Sequence, residues 1–462
     1  MTIAAKRTER PITIESRGLY KKLAVVALPM AMQEIISCSL TLVDNLMIGS
    51  LGEAELSAVG VGVQLFFVHW MMIFGFTSGT ATYMAQFYGS KDIRNIRKTA
   101  GLALVVCMII SAVFFSAAFF APYTVARLFS DIPEVIELAA VYIKTGSFML
   151  LMLGTTVPFT SALRATQQTK IPFLISLGTF GVNTSLNYIL IFGKFGAPML
   201  GIKGAALATV IARAVELILV LLMVFVRKNI ITGSLRDFFG WPRVFALRII
   251  RNAIPTTVNE TLWGLGTSMY VAAYARIGVT EHAAVQAANT IQNLFNMSAF
   301  SVGSATLILV GQKLGEGELD YAAELGRRLL RIGIFVGVTA GLALIAVSKP
   351  IISLFDFSDE ARLYCFMILV LYGVFMGVTL HNGILITGLL RAGGDTKFAM
   401  LSESLSIWLI GVPAAFITAL FFQLPVYLCA LFVKLEEIVK FFVLERRYRS
   451  KKWVKNVIED IE

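Results

Sequence analysis

The chain has 462 residues, 57% of them hydrophobic and 15% charged, with a mean hydropathy of +0.77. Soluble domains carry about 25% charged residues, so a string of soluble domains is excluded even though the length would hold two or three. A formal charge of +11 invites a nucleic-acid reading, but the placement of the charges points elsewhere.

A helix crosses ~30 Å of hydrocarbon with roughly 20 apolar residues. Runs of that kind lie at 23–47, 55–80, 99–121, 136–160, 171–192, 204–226, 251–275, 283–309, 330–348, 362–388, 398–421 and 424–443. Backbone in lipid must satisfy its own hydrogen bonds, and the alternation of barrel strands is absent, so these runs are predicted to be helices. The opening is polar and basic (Lys6, Arg7, Arg10, Arg17, Lys21, Lys22) and leads into a full-length span without a small-residue cleavage site. No secretory signal is therefore expected. Cys38, Cys107, Cys365 and Cys429 fall inside spans at spacings that suit neither a metal site nor a disulfide framework.

Alternating the loops across twelve spans puts 32 of the 40 Lys and Arg on one side and 7 on the other, with Arg213 inside a span. The 32 include Arg164 and Arg391, assigned to short loops, and everything from Lys434 onward. The positive-inside rule then places both termini and the 227–251 loop in the cytoplasm, with the chain in the cell (plasma or inner) membrane. The basic excess reads as topology and lipid contact, and no nucleic-acid partner is expected.

The two halves repeat. LRATQQTK at 163–170 returns as LRAGGDTK at 390–397, an offset of 227. Pro29 and Pro255, Gly52 and Gly278, Ala58 and Ala284, Gln86 and Gln312, and Gly89 and Gly315 match at 226. Six spans is an even number, so the halves share one orientation, and parallel repeats favour a transporter with its site between them. The predicted fold class is an all-α membrane protein of 12 transmembrane helices in two six-helix lobes, related by a pseudo-two-fold along the membrane normal. Its divisions are a cytoplasmic segment 1–22, an N-lobe 23–226, a linker 227–250, a C-lobe 251–443 and a basic tail 444–462. The Arg and Lys of the LRAxxxTK repeat are expected to snorkel to lipid phosphates, and GSLG at 49–52 to form a tight turn.

With these residues in view, the chain resembles the multidrug and toxin extrusion (MATE) family. ALPMAMQEIISCSLTLVDNLMIGSLGEAELSAVG carries Pro29, Asp44, Gly49 and Gly52, and AIPTTVNETLWGLGTSMY carries Pro255, Asn259, Glu260, Trp263 and Gly266. GQKLGEGE and LLRAGGDTKF are similar to two further family motifs. The resemblance spans roughly 23–443. It implies two lobes around a V-shaped cavity and export of organic, often cationic compounds in exchange for sodium ions or protons. No cofactor beyond the coupling ion is implied; the expected partners are small-molecule drugs or organic cations and the bilayer, with the chain acting as a monomer.

An ionisable group inside a span is paired, hydrated or functional. Asp44, deep in the first span, can hold a proton and give it up when water reaches it, or it can cap the turn that follows. Asn183 and Asn187 share a face of the fifth span, where they can bond a carboxyl or offer carbonyl oxygens to a hard cation; interhelical polar packing is the other reading. In some members of the resembled family the later position is an aspartate, so Asn187 leaves Asp44 as the only titratable group there. Glu260 resembles that family's second-lobe cation acid, with pairing to a neighbouring helix as the alternative. The tenth span, where some members add an aspartate, has only Thr379, His381, Asn382 and Thr387. Possible sodium is thus confined to Asp44 or Glu260, and no other metal is expected.

Glu34, Asn259, Trp263 and Asn382 are weaker candidates for the substrate cavity; Glu34 can draw in a cation or hold a buried hydrogen bond. Arg213 and Glu216, three apart, are expected to pair, and Glu403 has no assigned role. Seventeen Met and 34 Phe suit loose apolar recognition. A lipid or polysaccharide-precursor flippase of related fold is the competing function, disfavoured by the NETLWGLG segment and by sparse Arg and Lys within spans. No phosphate-binding loop, HExxH or Ser/His/Asp set is present, so an enzyme is not expected.

Overall fold

The computed structural model describes residues 16–459 apart from 228, 354 and 356; Lys6, Arg7 and Arg10 of the expected N-terminal segment lie outside them. Twelve long helical stretches follow in order. They are α1 (Ser16–Gly49), α2 (Glu53–Gly89), α3 (Ile93–Phe120), α4 (Pro133–Gly146 and Phe148–Ala165), α5 (Lys170–Phe192) and α6 (Gly201–Leu221 extended through Leu222–Val226). The second half repeats the order as α7 (Arg243–Ala275), α8 (Val279–Gly315), α9 (Leu319–Ile352), α10 (Asp359–Gly383 extended through Ile384–Leu390), α11 (Thr396–Phe421) and α12 (Val426–Arg449).

Ten helices are apolar and long enough to span by themselves among the described residues. The exceptions are α7, diluted by Asn259, Glu260 and several threonines, and α12, which holds Lys434, Glu436, Glu437 and Lys440. These two cross because their polar groups face protein partners rather than lipid. The outward faces are apolar: Phe120, Val113, Phe335 and Val374 stand well exposed where hydrocarbon would cover them. The last turns of α10 widen to the i→i+5 pattern over Ile384–Leu390, a geometry that often marks functional positions. GSLG forms its turn, with the Leu51 N–H donating to Ile48 O at 2.9 Å.

The pseudo-two-fold is visible contact by contact. Gln86 on α2 donates to Ala392 O at 2.8 Å, and Gln312 on α8 donates to Ala165 O at 3.1 Å. Gly89 lies against the Gln312 carbonyl, and Gly315 against that of Gln86. A side chain on either glycine would collide with backbone. Lys91 and Gly317 take matching left-handed turns at φ 64° and 79°. Together these contacts close the two lobes against each other at the end of the bundle that carries both termini.

The tail joins that closure. Helix α12 runs to Arg449, beyond the expected boundary at 443, and residues 450–459 fold back over both lobes. Trp453 is 1% exposed, stacks on Tyr448 and donates its indole N–H to Tyr448 O at 3.2 Å, with Gly326 and Gly393 beneath it. The Val457 N–H donates to Gln86 Oε1 at 2.8 Å, while the Gln86 amide reaches Lys455 O at 3.2 Å. Trp453→Ala removes a fully buried indole and is expected to cost about 3 kcal/mol, read as a lowered melting temperature of the detergent-solubilised protein. An unchanged melting temperature would show that the tail is not seated there.

Candidate functional site

Between the lobes, above the closed end, lies a cavity of about 270 Å³ lined by α1, α2, α4, α5, α6, α8 and α10. Its wall mixes hydroxyls and apolar groups with five charges: Glu34, Glu216, Arg164, Arg213 and Arg391. Trp70 and Phe74 also line it, their rings stacked with centroids 6.2 Å apart. Arg213 binds Glu216 at 2.6 Å, the pairing expected from their spacing.

The other charges form a repeated pair. Arg164 lies 3.9 Å from Glu34 and donates to Gln33 Oε1 at 2.7 Å. Arg391 binds Glu260 at 2.5 Å and Ser78 Oγ at 2.7 Å. Glu34 and Glu260 stand 226 apart and the arginines 227 apart, so one Glu–Arg bridge occurs in each lobe. This corrects the expectation for the LRAxxxTK repeat: its arginines end α4 and α10 pointing inward, and Arg391 is 1% exposed. A guanidinium so placed gains more from a carboxylate across the helix pair than from phosphates it cannot reach.

Asp44, Asn183 and Asn187 come together near the far end of the first lobe. The Asn187 amide donates to Asp44 Oδ1 at 2.5 Å and to Asn183 Oδ1 at 2.9 Å, and Asn183 donates to Thr209 Oγ1 at 3.4 Å. Asn187 Oδ1 is buried with no partner. Among the described residues Asp44 has no ion pair. A lone carboxylate backed by amides can take a proton or offer oxygens to a hard cation.

In the second lobe the candidates are held apart from the cavity. Asn259 donates to Glu403 Oε2 at 2.6 Å, and Asn382 donates to Glu437 Oε2 at 2.8 Å. Trp263 is half-buried on α7, and neither it, Asn259 nor Asn382 lines the cavity described above; of the four weaker candidates only Glu34 does. Lys440 is 3% exposed and binds Glu437 at 2.8 Å and Glu436 at 3.4 Å. Lys434 lies over the Tyr372 ring at 5.0 Å. Both lysines lie within the predicted 424–443 run, although the loop count places everything from Lys434 onward on the cytoplasmic side. Removing Arg164, Arg391, Lys434 and Lys440 from the basic side leaves its excess intact. It does remove the argument that basic groups are sparse within the spans.

The comparisons with known proteins agree with the fold. The MatE family pattern matches residues 29–189 and 253–417. A probable multidrug resistance protein, YoeA of Bacillus subtilis (strain 168), is 24% identical over 91% of this chain and 92% of its own. A multidrug resistance MATE family transporter of the MOP superfamily, solved in an outward-facing conformation, matches with a TM-score of 0.85 at 18% identity, covering 94% of this chain and 97% of that one. A MOP superfamily transporter from Pyrococcus furiosus Vc1 (DSM3638), described as having a binding pocket of reverse polarity, matches with a TM-score of 0.84 at 19% identity over the same shares. The pattern covers most of both lobes, and the chain belongs to the MatE family of membrane transporters.

Proposed function

We propose that the chain is a secondary active efflux antiporter that exports organic, often cationic compounds against inflow of sodium ions or protons. The observation that carries this is Asp44: in the first lobe's interior the acids Glu34 and Glu216 have arginine partners within 4.0 Å, whereas Asp44 accepts one amide hydrogen bond from Asn187 and faces Arg213 only at longer range. A free carboxylate beside an unpartnered amide oxygen is a place where an ion can arrive and leave. Alternating access requires the ion to favour one state and the substrate the other. The closed end belongs to the state open away from the termini, and ion loading at Asp44 would precede return. On this reading the chain works as a monomer in the plasma membrane with both termini in the cytoplasm. Glu260, tied to Arg391, serves as the buried partner of a cavity-wall arginine rather than as an ion seat.

A second substrate class has its own support. Three arginines line the cavity, each bridged to a glutamate, and their remaining guanidinium donors suit an anionic or zwitterionic amphiphile, which keeps a lipid-precursor flippase in view. Ethidium efflux with pH and sodium gradients imposed separately tests the antiport. Efflux is expected to follow one gradient and stop when both collapse. Efflux that persists without either gradient would overturn the proposal.

A further inference from the structure

Inside the bundle, Glu34, Glu216, Glu260, Glu436 and Glu437 each face an Arg or Lys within 4.0 Å. Two described acids there do not: Asp44 and Glu403. Their surroundings match. Each accepts one hydrogen bond from an asparagine amide, Asp44 from Asn187 at 2.5 Å and Glu403 from Asn259 at 2.6 Å. In each case that asparagine's Oδ1 is buried without a partner. Each pair also bridges the first and fifth helices of its own half, α1 to α5 and α7 to α11. The roles are exchanged: the acid is on the first helix in one lobe and on the fifth in the other.

We infer that Glu403, with Asn259, is a second proton-carrying site in the C-lobe, the partner of Asp44 with Asn187 in the N-lobe. The inference rests on the antiport reading above for its part in transport. An asparagine amide serves both charge states, since its N–H can donate to the carboxylate and its C=O can accept from the protonated carboxyl. The unpartnered Oδ1 is the acceptor that the protonated state requires. Carboxylate and amide together fall short of the six or so oxygens a hard cation takes, so a proton is the natural occupant.

The charges that face Glu403 are Lys440 from α12, Glu260 from α7 and Arg391 from α10. Lys440 is held by Glu436 and Glu437, and Arg391 by Glu260. These resident cations occupy the other carboxylates of the lobe and leave Glu403 free to exchange. Arg391 also lines the cavity, so charging Glu403 alters the field at a wall that substrate would touch. By the repeat, Asn259 and Glu403 stand where the first lobe has Gln33 and Ser176, themselves bonded at 2.8 Å. The bridge is inherited by both halves, and only this half has placed a titratable group in it.

Infrared pH-difference spectra of the purified, substrate-free protein read buried carboxylic acids directly. The protonated-carboxyl band is expected to lose one component in Glu403→Gln, another in Asp44→Asn and none in Glu260→Gln. A Glu403→Gln spectrum equal to wild type overturns the inference. Glutamine is nearly isosteric and still accepts from Asn259, and Glu403→Asp, which keeps the acid, should retain the component. In inverted vesicles, ethidium transport driven by a pH gradient is expected to fall about tenfold in Glu403→Gln and recover in Glu403→Asp. If wild type transports nothing, the antiport reading fails, while the infrared result still decides Glu403.

Discussion

Arg391→Met is expected to destabilise the protein by about 3–5 kcal/mol, because it strands the buried Glu260 carboxylate with no other cation within 4.0 Å among the described residues. The Ser78 hydroxyl and the cavity wall lose their partner as well. Removing both charges, as Arg391→Met with Glu260→Met, should recover most of that loss, since a well-packed apolar pair often replaces a buried bridge at little cost. Unfolding of the solubilised single and double variants provides the cycle. The first-lobe bridge sets the scale: Arg164 and Glu34 are 3.9 Å apart and partly exposed, so Arg164→Met should cost much less. Equal costs in the two lobes would show that the second bridge is no tighter than the first.

Gly89→Val is expected to drive the protein out of the arrangement described here. A β-carbon at Gly89 meets the Gln312 carbonyl, and one at Gly315 meets that of Gln86. The obstacle is helix backbone, which cannot rotate away. Overpacking of this kind costs about 3 kcal/mol, enough to shift a two-state equilibrium by roughly 100-fold. Spin labels at Lys91 and Glu316, both exposed beside the closure, would report it. Their distance distribution should move to longer values in Gly89→Val. An unchanged distribution would mean that the lobes do not meet through these glycines.

Much of the architecture was legible before any coordinates. Twelve runs and a repeat at 226–227 gave the two lobes, and Asp44, Asn183 and Asn187 do share one cluster. The charges were harder. Arg391 and Arg164 end their helices, and hydropathy cannot tell an inward guanidinium from one reaching headgroups. Lys440 lies inside the 424–443 run, and counting every basic residue from Lys434 onward with the cytoplasmic loops hid its place within the bundle. The signal that could have found the bridges was present: Glu34 and Glu260 repeat at the same spacing as Pro29 and Pro255, and their arginines at that of LRAxxxTK. A pair conserved between halves is a pair held by geometry. Glu403 gave no such signal, because its repeat partner is Ser176 and its neighbour Asn259 lies 144 residues away. Only the packing of α7 against α11 brings them together.

Asp44 carries the account, and ethidium efflux from intact cells in Asp44→Asn tests it most directly. Asparagine keeps the size of the side chain and an oxygen for Asn187, so the cluster should stay folded while losing its exchangeable charge. The expected result is loss of gradient-driven efflux, by about 100-fold or more, with the melting temperature close to wild type. Gradient-driven efflux at the wild-type rate in a folded Asp44→Asn protein would contradict the account.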